Sequence, residues 1–196
     1  MSELSGKRAL VTGGSRGIGA AIALALAEKG ADVAITYERS ADRAAEVVRS
    51  VEASGRRGVA IQADSADAAA VKRSVEEAVA ALGGLDILVN NAGIARGGPV
   101  AEASLADIDA LLAVNIRSVV LASQAALAHL PDGGRIVSIG SCLGERVPFG
   151  GVTVYSMTKS ALLSFTRGLA REVGSRSITV NLVQPGSTDT DMNPAN

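Results

Sequence analysis

Apolar and polar positions follow two different periods along the chain. Short runs rich in Val, Ile, Leu and Ala are typical of strands buried on both faces, whereas longer segments with apolar residues three or four positions apart are typical of helices. Six short runs of the first kind lie at residues 8–12, 32–37, 58–62, 86–90, 135–139 and 177–183. The helical pattern covers residues 17–29, 42–53, 67–82, 104–130 and 155–173.

This alternation predicts βαβ units and an α/β fold, a three-layer doubly wound (Rossmann) sheet that is mainly parallel, with helices on both faces. The 196 residues contain no linker or low-complexity stretch, so we expect residues 1–196 to form a single dinucleotide-binding and catalytic domain. Sheets of this kind bind ligands beyond the carboxyl ends of their strands. Functional residues are therefore expected just after the strands.

Composition excludes several classes of function. Lys plus Arg number 19 and Asp plus Glu 20, and this balance argues against nucleic-acid or membrane-surface binding. The first residues lack an apolar signal region, and no apolar run is long enough to cross a bilayer, so we expect a cytoplasmic protein. The single cysteine, Cys142, and the single histidine, His129, leave no basis for a disulfide, a metal site or a His-dependent triad. Cys142 is expected to be a buried, inert thiol.

A glycine-rich turn joins the first predicted strand to the first predicted helix. Residues 12–19 read Thr-Gly-Gly-Ser-Arg-Gly-Ile-Gly, a spacing that differs from the usual G-x-G-x-x-G. Glycines here permit a tight turn and let backbone N–H groups approach a pyrophosphate at a helix N-terminus. A purely structural turn is the alternative, but the position between a strand and a helix favours dinucleotide binding.

A tyrosine and a lysine lie one helical turn apart near the start of the last predicted helix. Tyr155 and Lys159 share one face because residues i and i+4 stack along a helix. A cation beside a phenol favours the phenolate, so we expect Lys159 to lower the pKa of Tyr155. A phenol that exchanges a proton near neutral pH suits carbonyl reduction and alcohol oxidation. The alternative is a surface ring packed on a lysine stem.

Together these motifs resemble those of the classical short-chain dehydrogenases/reductases, over nearly the whole chain. The matching features, in order, are the turn at 12–19, Asp64 after the third strand, the segment Asn90-Asn91-Ala92-Gly93, Asn115 inside the fourth helix, Ser141 after the fifth strand, Tyr155-x-x-x-Lys159, and the segment 185–190 after the sixth strand. Within that family the nearest likeness is to the 3-oxoacyl-[acyl-carrier-protein] reductases.

The resemblance implies a catalytic set of four residues. By it, Tyr155 delivers the proton to a carbonyl oxygen, and Lys159 tunes Tyr155 and holds the nicotinamide ribose. Ser141 hydrogen-bonds the substrate oxygen as charge develops there. Asn115 anchors a water that links Lys159 to solvent. The alternatives are that Ser141 caps a turn and that Asn115 is a polar kink in an apolar helix.

The resemblance also implies the cofactor-binding residues. They are Gly13, Ser15, Arg16, Gly17, Ile18, Gly19, Arg39, Ser40, Asp64, Asn91, Ala92, Gly93, Tyr155, Lys159, Pro185, Gly186, Thr188 and Thr190. Sites specific for NAD usually place an acid after the second strand, and the matching residue here is Tyr37. Arg16 and Arg39 suit the extra phosphate of NADP, so NADP(H) is favoured over NAD(H). Glu38 remains the candidate acid if the backbone shifts.

The substrate and the partners stay open at this stage. A 3-oxoacyl thioester and a small free ketone or secondary alcohol both fit the resemblance. A carrier protein would need basic residues near the end of the fourth helix, where His129, Arg171 and Arg176 are the candidates. The fourth helix is apolar around much of its circumference, which predicts a second buried side and hence a homodimer or homotetramer.

The family pattern continues beyond Asn196, with a substrate-covering segment, a seventh strand and a last helix. We therefore expect the sequence to be truncated at the C-terminus relative to the family. Two classes of function follow. The first is an NADP-dependent oxidoreductase acting on CH–OH groups. The second is a catalytically inactive dinucleotide-binding fragment or scaffold protein that lacks the substrate lid.

Overall fold

The computed structural model of the chain describes residues 3–194. Its centre is a parallel sheet of six strands in the order β3-β2-β1-β4-β5-β6. The strands are β1 (Arg8–Val11), β2 (Asp32–Tyr37), β3 (Gly58–Gln62), β4 (Ile87–Asn90), β5 (Arg135–Ile139) and β6 (Thr179–Val183). The helices are α1 (Gly17–Glu28), α2 (Ala41–Ala53), α3 (Ala68–Leu82), α4 (Leu105–Leu112), α5 (Ser118–Leu127) and α6 (Thr153–Glu172). The predicted doubly wound α/β fold is confirmed.

The strand order reverses beside β1. Leu10 of β1 is in register with Ala34 of β2 on one side and with Leu88 of β4 on the other. The chain moves outward from β1 to β3, returns to β4, and moves outward again to β6. This reversal opens a crevice at the carboxyl ends of β1 and β4, where doubly wound sheets bind their ligands.

Two apolar layers hold the helices against the sheet. Leu10 lies on one face with Val75 of α3 and Ala126 of α5, whereas its neighbour Val11 lies on the other face with Ala23 of α1. All five of these side chains are fully buried. Alternate strand residues therefore supply opposite layers, which explains why the sequence shows continuous apolar runs rather than alternation.

The fourth predicted helix contains an irregular turn. α4 and α5 are joined by a π-helical turn, Ala113–Arg117, so the helical path is continuous from Leu105 to Leu127. A π-turn closes i→i+5 hydrogen bonds and inserts one extra residue into a helix. The predicted extension to residue 130 is wrong, because α5 ends at Leu127.

β6 begins later than predicted and forms one edge of the sheet. Ser177 has a φ of 55° and closes a short 3-10 turn, so the extended backbone starts only at Thr179. Over the described residues β6 pairs with β5 alone. No helix within residues 3–194 has the length and apolar character needed to cross a membrane.

Candidate active site

The four predicted catalytic side chains come from three elements at the carboxyl end of the sheet. Tyr155 and Lys159 lie on α6, Ser141 follows β5, and Asn115 occupies the π-turn. Lys159, Ser141 and Asn115 are buried, and Tyr155 is half-buried. The Lys159 Nζ atom lies 5.9 Å from the centre of the Tyr155 ring. The pair that the sequence placed on one helical face is therefore close in space.

The ammonium of Lys159 is held in a confined position. Its Nζ atom donates a hydrogen bond of 3.0 Å to the Ile139 carbonyl at the end of β5. Burial lowers the pKa of Lys159 from 10.5 to about 8. A Cβ added to Gly93 would stand 3.4 Å from Nζ and 3.5 Å from the Asn115 Oδ1 atom. Lys159 and Asn115 thus border the same small space, which the absence of a side chain at Gly93 keeps open.

The expected lowering of the Tyr155 pKa is not what this geometry produces. Burial raises the pKa of Tyr155 above its usual value of 10, hydrogen bonding from Ser141 lowers it in part, and the charge of the nearby Cys142 raises it. The Lys159 Nζ atom donates to the Ile139 carbonyl and makes no hydrogen bond to the phenol. Tyr155 is consequently a protonated phenol at neutral pH and is suited to donate a proton.

Ser141 serves both as a turn cap and as a partner of Tyr155. Its Oγ atom accepts a hydrogen bond of 3.1 Å from the Leu143 N–H, at the start of a 3-10 turn, Cys142–Gly144. Because that bond uses the oxygen only as an acceptor, the hydroxyl hydrogen can be directed at the Tyr155 oxygen, where it lowers the pKa of Tyr155 in part. The neighbouring Cys142 is exposed, so the expectation of a buried thiol is wrong. Cys142 comes three residues after the end of β5, where the chain has left the sheet.

Asn115 links two distant segments through its amide. Its Nδ2 atom donates to the Ile94 carbonyl at 2.9 Å and to the Thr158 Oγ1 atom at 3.0 Å, while its Oδ1 atom accepts from the Ile94 N–H at 2.9 Å. Both amide hydrogens are therefore used, which leaves a lone pair on Oδ1 for the expected water. The alternative of a polar kink also describes the π-turn in which Asn115 lies.

Thr158 is a site residue that the sequence reasoning missed. It is fully buried, and its hydroxyl donates a hydrogen bond of 2.6 Å to the Tyr155 carbonyl while accepting from Asn115. A threonine three residues after a candidate catalytic tyrosine lies on the same helical face, and that spacing was a usable signal. Thr158 fixes α6 to the π-turn and so positions both Tyr155 and Asn115.

The glycine turn is locked to the ends of β2 and β4. Gly13 has a φ of 64°, and a Cβ there would stand 2.9 Å from the Ala92 Cα atom, so only glycine fits. The Gly13 N–H donates to the Thr36 Oγ1 atom at 2.9 Å. Asn91 donates through Nδ2 to the Thr12 and Gly13 carbonyls at 2.9 and 3.0 Å. Asn91 therefore holds the turn, in addition to its predicted place beside the cofactor.

Two threonines that hold this turn, Thr12 within it and Thr36 in β2, were also missed as positioning residues. The Thr12 Oγ1 atom accepts from the N–H groups of Asn91 and Ala92, both at 3.0 Å. Thr36, fully enclosed in β2, offers its hydroxyl to Gly13 and its carbonyl to Gly14 at 2.9 Å. The hydroxyls replace backbone partners that the sharp turn lacks. The result is a rigid, solvent-facing loop with its N–H groups prearranged.

The charged residues predicted to select the cofactor have partners within the chain. Arg39 forms an ion pair of 2.8 Å with Glu38, and its side chain is 88% exposed. Arg16 lies 3.6 Å from Asp191, which also pairs with Arg43. Glu38, the alternative acid, therefore faces Arg39.

The remaining predicted cofactor residues line the same end of the sheet. Asp64 follows β3, and its Oδ1 atom accepts from the Ala66 N–H at 2.7 Å. The Pro185 carbonyl accepts from the Cys142 N–H at 3.0 Å. Within the turn and after β2 and β6 lie Ser15, Gly17, Ile18, Gly19, Ser40, Gly186, Thr188 and Thr190. No group of three or more His, Cys, Asp or Glu side chains within residues 3–194 could hold a metal ion.

The sheet order, the locked glycine turn and the Tyr–Lys pair define a dinucleotide-binding α/β protein with an acid–base site. Within that class, the chain belongs to the short chain dehydrogenase family, whose model matches residues 7–196. A solved short chain dehydrogenase from Burkholderia cenocepacia J2315, in complex with NADP, is 65% identical with a TM-score of 0.97, and the match covers 98% of this chain and 79% of that one.

Other relatives have different described roles. A blue fluorescent protein from a metagenomic library, solved in complex with NADPH, is 56% identical with a TM-score of 0.97, covering 98% of this chain and 79% of that one. The cyclic-di-GMP-binding biofilm dispersal mediator protein of Escherichia coli (strain K12) is 46% identical over all of this chain and 79% of its own length. Hydroxynaphthalene reductase arp2 of Aspergillus fumigatus is 43% identical over 96% of this chain and 69% of its own length.

Proposed function

We propose that the protein is an NADP-dependent oxidoreductase that interconverts a ketone and a secondary alcohol. The observation that carries this proposal is the convergence of Tyr155, Lys159, Ser141 and Asn115 at the crevice beside the glycine turn. If these four residues had only structural roles, they would not need to lie around the same opening. A proton donor, a cation and a hydroxyl donor around one opening are what carbonyl reduction needs.

The residues of the site fit a dinucleotide. Gly13 and Gly17 both have positive φ, and the space next to Gly93 is bordered by Lys159. When bound, the nicotinamide of the cofactor would supply the hydride that reduces the carbonyl carbon. Gly13 and Gly17 would cradle the pyrophosphate, and the Lys159 ammonium would hold the ribose hydroxyls.

The protonation states of the side chains determine the proposed path of the proton. Tyr155, whose pKa is raised by burial, donates its proton to the carbonyl oxygen as that oxygen gains charge. With substrate bound, the Ser141 hydroxyl would donate to the same oxygen and so stabilise the developing charge. The Tyr155 phenolate then recovers a proton through Lys159, so that the oxygen receives one proton for each hydride that carbon receives.

NADP(H) is the proposed cofactor. Tyr37 ends β2 at the position where NAD-specific sites usually carry an acid. Glu38 is paired with Arg39, and a carboxylate occupied in this way is poorly placed to bind ribose hydroxyls. The solved relatives with bound NADP and NADPH support the same choice.

The substrate is proposed to be a free ketone or alcohol rather than a thioester on a carrier protein. Arg176 donates to the Leu127 and Leu130 carbonyls, and His129 pairs with Glu76 at 2.9 Å. These two candidates for a carrier-binding patch therefore serve the fold. Val147, Phe149 and Met157 are at least half exposed near the site, and their apolar surface suits an apolar substrate.

The decisive experiment measures the loss of NADPH absorbance with aromatic and aliphatic ketones and with 3-oxoacyl thioesters. We expect ketone reduction that is faster with NADPH than with NADH. Tyr155→Phe should lower kcat at least about 100-fold and leave NADPH affinity unchanged, because only the proton donor is lost.

Each contrary outcome has a defined meaning. A chain that binds NADPH but reduces no ketone would overturn the enzyme proposal in favour of a dinucleotide-binding scaffold. Faster oxidation of NADH than of NADPH would overturn the cofactor choice. A Tyr155→Phe variant with full activity would remove Tyr155 from the proton-transfer step.

A further inference from the structure

Arg117, the last residue of the π-turn, reaches the loop that follows β3. Its Nη2 atom donates a hydrogen bond of 2.7 Å to the Ala66 carbonyl, across 51 residues of sequence. The Arg117 side chain is exposed, so it contributes little to the apolar core. A bond from an exposed guanidinium to a loop carbonyl points to a role in the shape of that loop.

The loop after β3, residues 63–67, is held mainly by polar contacts. Ala63 is buried, but the residues after it are exposed or half-buried. In the part of the chain that the structure describes, their other hydrogen bonds stay inside the loop or run to the first turn of α3. The bond from Arg117 therefore ties this loop to the π-turn, an element far from it in sequence.

The residue that Arg117 holds also orients Asp64. Ala66 accepts from Arg117 through its carbonyl and donates through its N–H to the Asp64 Oδ1 atom at 2.7 Å. Asp64 is exposed just beyond the carboxyl end of β3, where the adenine of a dinucleotide is expected. A carboxylate that accepts at one oxygen can still accept from a ligand at the other. Two successive hydrogen bonds thus connect the π-turn to this carboxylate.

The same π-turn holds the loop after β4 through Asn115. Asn115 binds both backbone groups of Ile94, whereas Arg117, two positions later, binds the loop after β3. Helical residues two positions apart project to different sides, so one turn can reach both loops. The turn itself is braced by the buried Ser118, whose hydroxyl donates to the Val114 carbonyl at 2.5 Å. One short element is therefore tied to two loops that border the crevice.

We infer that Arg117 is a positioning residue for the adenine end of the cofactor site, so that the π-turn aligns both ends of that site. The inference rests on the proposed function, since it takes a dinucleotide as the ligand. A loop that is held in shape before binding loses less conformational entropy when the ligand arrives. Without the Arg117 bond the affinity for the adenine end should fall. The nicotinamide end should keep its shape, because the Asn115 bonds remain.

NMR titration with two fragments of a dinucleotide tests this inference without any turnover. The probes are adenosine, which has no phosphate for a guanidinium to bind, and nicotinamide mononucleotide. Arg117→Met removes the hydrogen-bond donor and keeps an apolar stem of similar length. It should weaken adenosine binding about fivefold, the size of one exposed hydrogen bond, and change the affinity for nicotinamide mononucleotide less than about twofold.

Arg57 provides a matched control at the other end of β3. Its Nη1 atom donates a hydrogen bond of 2.8 Å to the Ala81 carbonyl, and its side chain is also exposed. Arg57→Met therefore removes the same charge and the same kind of bond, and it should leave the affinity for both probes unchanged. In hydrogen exchange, the Ala66 amide should exchange faster in Arg117→Met and at the wild-type rate in Arg57→Met.

The possible failures separate this inference from the proposed function. Equal losses of affinity for both probes in Arg117→Met, or equal effects of Arg117→Met and Arg57→Met on adenosine binding, would overturn the positioning role. Faster exchange of the Ala66 amide with unchanged adenosine affinity would also overturn it, since Arg117 would then be a purely structural link. A wild-type protein that reduces no ketone, with the expected loss of adenosine affinity in Arg117→Met, would overturn the proposed reaction and leave the positioning role standing.

Discussion

At the scale of single residues, Lys159 lies in an environment that disfavours its charge. Its side chain is 5% exposed, and its Nζ atom donates a hydrogen bond of 3.0 Å to the Ile139 carbonyl. Burial lowers its pKa to about 8, because an ammonium loses solvation that a single carbonyl does not replace. Below that pH the folded protein carries a buried charge, and this charge costs stability. The proposed role of Lys159 in proton transfer is thus accompanied by a cost in folding stability.

The stability of the protein should therefore increase with pH through this residue. Between pH 8 and 10.5 the unfolded chain keeps the Lys159 proton while the folded chain releases it, so the free energy of unfolding rises. Lys159→Met lacks this titrating group. Between pH 7.5 and pH 9.5 we therefore expect the free energy of unfolding of wild type to rise by about 2 kcal/mol relative to that of Lys159→Met. Urea unfolding at several pH values measures it.

The comparison of the two proteins cancels other groups that titrate in this range, Tyr155 among them. Lys72→Met on the exposed face of α3 is the matched control and should give a difference that does not vary with pH. A constant difference between wild type and Lys159→Met from pH 7.5 to pH 9.5 would show that Lys159 keeps its ordinary pKa in the folded protein.

At the scale of the elements, the strands were the most predictable part of the fold. Each of the six lies within two residues of its predicted bounds, because a strand buried on both faces needs an unbroken apolar run. The π-turn was not predictable, since apolar residues such as Val114 and Ile116 continue through it as they would through a regular helix. The cross-links of Asn115 to Ile94 and Thr158 join segments far apart in sequence, and no local pattern encodes such a contact.

The candidate site shows the same division between local and long-range information. Tyr155, Lys159 and the glycine turn were found because their spacing along one element carries the signal. The partner of the Arg16 guanidinium, Asp191, was not, because it reaches the turn from beyond β6. The direction of the Tyr155 pKa was also missed, since it depends mainly on the burial of the phenol in the folded chain.

The π-turn should control the order of the loop after β4. Asn115→Ala removes the side-chain partner of both the Ile94 N–H and the Ile94 carbonyl, whereas Thr158→Val leaves both of those bonds in place. We expect Asn115→Ala to lower the free energy of unfolding by about 2–4 kcal/mol and Thr158→Val by about 1–2 kcal/mol. Urea unfolding of both variants measures these values.

Hydrogen exchange separates the two effects. The Ile94 amide should exchange much faster in Asn115→Ala and at nearly the wild-type rate in Thr158→Val, because only the first change removes its acceptor. Unchanged protection of the Ile94 amide in Asn115→Ala would mean that the loop is held by other contacts and that Asn115 does not position it.

At the scale of the whole molecule, the two ends of the sheet have different roles. At the amino ends of the strands, Arg8 donates a hydrogen bond of 2.7 Å to the buried Asp86, and Arg56 pairs with Asp32 at 3.0 Å. Burial would raise the pKa of Asp86, but the hydrogen bonds and charges of Arg8 lower it overall. The carboxyl ends instead hold the glycine turn, Tyr155 and the desolvated ammonium of Lys159. The Arg8–Asp86 and Arg56–Asp32 pairs and the proposed reactive groups thus lie at opposite ends of the strands.

The surface of α5 supports the proposed assembly into a homodimer or homotetramer. Its buried face, which includes Val119 and Ala122, packs inside the subunit, while Val120 on the other side is 39% exposed. Leu105 of α4 is 73% exposed. α4 and α5 already cover the sheet with their inner side, so apolar residues on their outer side favour a protein partner. A second copy of this chain offers the same apolar surface in return.

Sedimentation velocity at micromolar concentration should show a dimer or tetramer. Val120→Glu should shift the protein toward the monomer, because association would then bury an unpaired carboxylate at a cost of about 2 kcal/mol or more, which is at least about thirtyfold in the dissociation constant. Ala53→Glu, which adds the same charge to the exposed end of α2, should leave the assembly intact. A monomeric wild type, or equal effects of the two variants, would place the apolar face of α5 outside any subunit interface.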